Sequence, residues 1–109
     1  MVYYSKQARY DLVLVLKGLL IWKKHPLEFK HANKYVNDIE SVCESLDQTS
    51  FHFESKYRIH RQFGKKIFPY RRNRNTTWYI IYDYDKRNNI VYIQHIMPNH
   101  TSTTEEEND

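Results

Sequence analysis

Near residue 50 the spacing of apolar residues changes from the 3.6-residue period of a helix to the two-residue period of a strand, and this switch limits the fold more than any other feature. Before it, Ala8, Leu12, Val15, Leu16, Leu19 and Leu20 keep helical spacing from Lys6 to about Lys24, with Val13, Leu14 and Ile21 widening the stripe. Val2-Tyr3-Tyr4-Ser5 is β-prone, and Ser5 suits the cap of the helix that follows. His25-Pro26 interrupts the pattern, because the residue before proline avoids the helical region and proline suits a first turn. A second helix then runs to about Asp47 on the stripe Tyr35, Ile39, Val42, Cys43 and Leu46. Beyond Gln48-Thr49-Ser50, strands are expected at Lys65 to Arg72, Thr76 to Tyr84 and Ile90 to Met97. Asn and Asp residues supply short turns between them, so the pairing should be antiparallel. The expected fold is α+β, in the order β-α-α-β-β-β, with a helical hairpin packed on one face of a small antiparallel sheet and the other face free.

A chain of 109 residues has room for a single domain, placed at residues 1–100, and the polar, then acidic, stretch 101–109 is expected to be a disordered tail. Two glycines, Gly18 and Gly64, rule out glycine-rich phosphate loops and dinucleotide fingerprints. The single cysteine, Cys43, rules out an internal disulfide; its place in an apolar stripe reads as a packed core thiol, and the expected compartment is the cytoplasm. Six histidines without an H-x-x-x-H pair predict no metal, and no cofactor is expected. The apolar run Leu12 to Trp22 is about half the ~20 residues that span a bilayer and is broken by Lys17, so no membrane is expected.

Charge is the informative feature. Residues 1–104 set 17 Lys and Arg against nine acids, a net +8. Lys56, Arg58, Arg61, Lys65, Lys66, Arg71, Arg72 and Arg74 all fall within residues 55–82, where no acid occurs. Cations on a strand edge also discourage aggregation. Eight of them without a counter-charge, interleaved with Tyr57, Phe63, Phe68, Tyr70, Trp78 and Tyr79, point instead to a polyanion with bases to stack. RNA is favoured over duplex DNA, because neither helix is free to serve as a recognition helix. His95 and His100 bracket the end of the last strand, where an imidazole with an ordinary pKa of roughly 6.5 suits proton transfer. Trp78, Tyr82 and Tyr84 share one strand face and Tyr79 and Ile81 the other, so one set is expected to leave apolar surface open.

Val2-Tyr3-Tyr4-Ser5-Lys6-Gln7-Ala8-Arg9-Tyr10-Asp11-Leu12 resembles the strand and S-x-x-A-x-x-D-L helix opening of the RelE/ParE superfamily of toxins from type II toxin–antitoxin modules. Trp78-Tyr79-Ile80-Ile81-Tyr82-Asp83, a short turn and Ile90-Val91-Tyr92-Ile93-Gln94-His95-Ile96 are similar to its later strands. The resemblance implies a growth-inhibiting toxin held by a cognate antitoxin, acting as a metal-independent endoribonuclease on messenger RNA at the ribosome. Alternatives are inhibition of DNA gyrase, the family's other activity, or a non-enzymatic RNA-binding module. Lys65, Lys66, Arg71 and Arg72 match the family's basic strand, and His95 and His100 its C-terminal acid/base position. Tyr79 stands where many ribosome-dependent members carry Arg. The expected catalytic set is Lys66, Arg71, Tyr79, His95 and His100; Lys56, Arg58, Arg61, Lys65, Arg72 and Arg74 are expected to contact nucleic acid.

Overall fold

The computed structural model describes residues 1–21 and 28–99. In chain order these form β1 (Val2–Tyr4), α1 (Lys6–Leu20), α2 (Phe29–Ser45) with a 3-10 turn at Leu46–Gln48, β2 (Phe53–Glu54), α3 (Arg58–Arg61), β3 (Lys66–Arg71), β4 (Thr77–Asp85) and β5 (Ile90–Pro98). His25-Pro26, His100 and the acidic tail lie outside the described residues. Ser5 does cap α1, its hydroxyl oxygen accepting from the Ala8 N–H at 3.0 Å.

The protein is α+β: a pair of helices and one five-stranded sheet in the order β1-β5-β4-β3-β2. The last three strands pair antiparallel, as their short connections require. The expectation of a purely antiparallel sheet is corrected at the β1 edge, and the other edge gains a short strand that was not expected. β1 pairs parallel with β5, Tyr3 opposite Tyr92, and a two-residue β2 pairs antiparallel with β3. The turn argument does not reach β1, because two helices separate it from the other strands.

The helices cover one sheet face. Ala8 and Leu12 of α1 and Val36, Ile39 and Cys43 of α2 close over Trp78, Ile80, Tyr82, Val91, Ile93 and Ile96. The Trp78 indole N–H donates to the Tyr35 hydroxyl at 2.9 Å, which satisfies the one polar atom this large side chain takes into the core. Cys43 is the core thiol expected, fully buried, and burial pushes its pKa up to about 12.

The second face is not free, and this is the larger correction. Residues 55–65, which carry α3, fold back over it, so that Ile81 is fully buried although its face looks away from the helical pair. His60 packs on Tyr79 with ring centroids 4.7 Å apart, and Phe63 on His95 at 4.2 Å. Gly64 makes the close approach possible: a Cβ at this position would lie 3.0 Å from both Ile81 Cγ2 and the Tyr82 carbonyl oxygen. Gly64→Ala should therefore destabilise the fold by about 1–3 kcal/mol, the usual cost of overpacking, read as a lower urea midpoint at unchanged slope. An unaltered midpoint would mean that the segment is not held against the sheet.

Candidate functional site

β1 ends at Tyr4 and α1 starts at Lys6, so the outer edge of β5 runs on past its partner strand and meets the side of α1. Side chains of the helix then satisfy main-chain groups that a sixth strand would otherwise serve. The Ser5 hydroxyl donates to the Gln94 carbonyl at 2.9 Å, and Asp11 Oδ2 accepts from the Ile96 N–H at 2.9 Å. Asp11 is only 7% exposed. Its other oxygen accepts from Gln7 Nε2 at 2.7 Å, and Oδ2 also accepts from His95 Nδ1 at 2.6 Å.

This arrangement fixes the imidazole. A carboxylate only accepts, so Nδ1 carries the hydrogen, and Nε2 is left without a hydrogen-bond partner among the described residues. A buried carboxylate holding one ring nitrogen of a histidine while the other stays free is a geometry suited to moving a proton. Phe63 packs on the ring from the sheet's second face. An apolar groove of about 440 Å³ opens beside the pair, walled by Leu14, Val15, Leu19, Trp78 and Met97.

The candidate residues divide between the two faces. Tyr79 lies on the face of His95: it pairs with Met97 while Ile81 pairs with His95, which makes the two diagonal neighbours, roughly 7–8 Å apart and within reach of long side chains. Arg71 shares that face through Thr77, and its guanidinium donates to the carbonyls of Asn73 and Arg74. Lys66 pairs with Tyr82 and so belongs to the helix side of the sheet, where it is ion-paired with Glu54. Arg72 is held there too, ion-paired with Asp38, bonded to the Tyr70 hydroxyl and stacked 4.2 Å from the Tyr35 ring centroid. The Arg72 guanidinium, with Lys34 behind it, holds the Asp38 carboxyl below the usual carboxylate range. The basic segment is thus less bare than its sequence suggests. Lys56, Arg58, Arg61, Lys65, Arg71 and Arg74 remain without a carboxylate partner among the described residues.

The sequence reading did not place Asp11 with His95. Its signal was present: Asp11 sits three residues after Ala8 and four before Val15, on the stripe meant for the core, where a carboxylate needs a partner. Asp83 plays a local role, accepting from the Lys65 N–H and from Gln94 Nε2. His60 was also missed. It is 8% exposed, sits between the rings of Tyr57 and Tyr79, and its Nδ1 is buried without a partner. Burial pushes its pKa below the ordinary histidine value, and His52 shifts the same way for the same first reason.

The sign of the resulting pH effect follows from linkage. A base whose folded pKa is lowered binds fewer protons folded than unfolded between the two values. Stability is full above about pH 6.5, the unfolded value, and falls as the pH drops below it. The urea midpoint should therefore be lower at pH 5 than at pH 7.5, and His60→Phe should reduce that difference. A midpoint that holds flat from pH 7.5 to 5 would refute the desolvation of both rings and the unpartnered Nδ1 of His60.

Comparison of the chain with protein-family models, with curated proteins and with solved structures gives no match. No helix among the described residues is long and apolar enough to cross a membrane.

Proposed function

We propose that the chain is an RNA-cleaving toxin of the RelE/ParE type, acting on messenger RNA at the ribosome in the cytoplasm and restrained by a cognate antitoxin. The observation that carries this reading is the Asp11–His95 pair, packed by Phe63 of the same segment that carries Lys56, Arg58, Arg61 and Lys65, cations without a carboxylate partner among the described residues. Cleavage of RNA requires a proton to leave the 2′-hydroxyl as its oxygen attacks the adjacent phosphorus, cations to steady the crowded phosphate, and a proton for the departing 5′-oxygen. His95 Nε2 carries one of these protons. Asp11 keeps the ring in one tautomer and orientation and acts as a positioning residue. Arg71 at the end of β3 and Lys65 just before that strand are assigned the charge from across β4, and Tyr79, on the strand between, contributes a hydroxyl toward the same phosphate. His100 remains a candidate from the resemblance alone.

The antitoxin reading rests on two features. The apolar groove between α1 and β5 accepts apolar side chains of a partner segment, and the unpaired cations accept its carboxylates. Binding there would cover His95. Co-expression with the product of the adjacent small reading frame should then restore growth and give a co-purifying complex; continued arrest with no complex would remove this part of the proposal.

The activity is tested by following message in a translation extract. Wild-type protein should shorten it at discrete positions. Intact message together with arrested DNA supercoiling would select gyrase as the target, and intact message with retained RNA binding would select a non-enzymatic module.

A further inference from the structure

We infer that Tyr3 and Tyr92 form a stacking seat for one base of single-stranded RNA, a step along the strand from His95. The inference rests on the RNA reading above and extends it to a subsite. Tyr3 and Tyr92 are neighbours across the β1–β5 pairing, with ring centroids 5.9 Å apart and planes inclined by only 20°. Both rings stand on the sheet face that carries His95, because Tyr92 pairs with Asp83 and His95 with Ile81 on β4. The segment carrying α3 covers Ile81 and Tyr79 but stops short of this row: Tyr3 is 48% exposed and Tyr92 39%.

Two half-exposed aromatic rings stacked with near-parallel planes on a sheet face form a short stack that any base can extend, since every base has a π-face. The stack is held in place. The amino terminus of Met1 is bound to Asp47 and to the Asn89 carbonyl, and the Tyr3 hydroxyl donates to Met1 Sδ at 3.0 Å. Little ordering is left for binding to impose.

Charge decides which part of a nucleotide sits here. The row continues from Tyr92 to the Asp83 carboxylate, which disfavours a phosphate beside the rings. Cations lie instead toward α3 and Lys65, so a strand that places its backbone along them turns a base toward Tyr3 and Tyr92. His95 is three steps along the chain from Tyr92, about 10 Å along an extended strand and less across the irregularity in the pairing near Gln94. That spacing seats a base one or two nucleotides from the phosphate at His95.

The test uses a ten-nucleotide single-stranded RNA with every ribose 2′-O-methylated, which lacks the attacking hydroxyl and so binds without being cut. Affinity is read by fluorescence anisotropy at low salt. Tyr3→Ala with Tyr92→Ala should weaken binding about tenfold or more, while Tyr3→Phe with Tyr92→Phe stays close to wild type. Tyr3→Leu with Tyr92→Leu keeps apolar area without a π-face and should weaken binding as the alanines do, which guards against a folding defect in the alanine pair. Wild-type affinity in the leucine pair would overturn the seat. If that happens while His95→Ala still abolishes message cleavage, the seat alone fails and the RNA reading stands. No binding of the oligomer by the wild-type protein would remove both.

Discussion

His95→Ala should slow cleavage of message by about 10² or more, with RNA affinity close to wild type, because only the proton-carrying group is removed. The separation matters. The His95 ring is mostly buried, between Asp11 and Phe63, and contributes little surface to a bound strand. A variant that lost affinity and kept its turnover would mark His95 as a binding residue. Asp11→Asn should lower turnover as well, through the orientation of the ring. It should also lower stability, since Asp11 accepts from Gln7, His95 and the Ile96 N–H at the open edge of β5. Leaving such buried donors unpaired costs about 1–3 kcal/mol.

The second large effect is on salt dependence. If about four of the six unpaired cations meet phosphates, log affinity should fall against log salt with a slope of about −3, so that binding is roughly 50-fold weaker at 200 mM than at 50 mM. Single replacements then separate the two groups of cations. Arg61→Ala or Lys65→Ala should each make the slope shallower by about 0.7. Lys66→Ala and Arg72→Ala should leave it unchanged, because Glu54 and Asp38 already neutralise these side chains on the helix side of the sheet. Equal effects from all four would mean that those ion pairs do not hold in solution.

The helices and the last three strands were legible in the sequence because their information is local. Ser5 with Ala8, the stripe ending at Leu46, and the alternation through Trp78 to Tyr84 each lie within one element. The alternation even assigned faces correctly: Trp78, Tyr82 and Tyr84 to one side, Tyr79 and Ile81 to the other. What it could not assign was the cover. Residues 55–65 are polar and basic with no sustained period, and they pack by placing His60, Phe63 and Gly64 on Tyr79, His95 and Ile81. The counter-charges were equally hidden. Glu54 lies 12 residues from Lys66 and Asp38 lies 34 from Arg72, so the bare basic run in the sequence becomes six cations without a carboxylate partner among the described residues. Asp11 and His95 stand 84 residues apart, and only the parallel placement of β1 beside β5 brings the first turns of α1 to the edge where they meet.

The claim on which the rest depends is that His95 moves a proton while the 2′-oxygen displaces the 5′-oxygen at a phosphate. End-group analysis of the fragments from a translation extract tests it most directly. The account predicts a 5′-hydroxyl on the downstream fragment and a cyclic or 3′-phosphate on the upstream one, both absent with His95→Ala. Fragments that carry a 5′-phosphate, or fragments with the predicted ends that persist in His95→Ala, would contradict it.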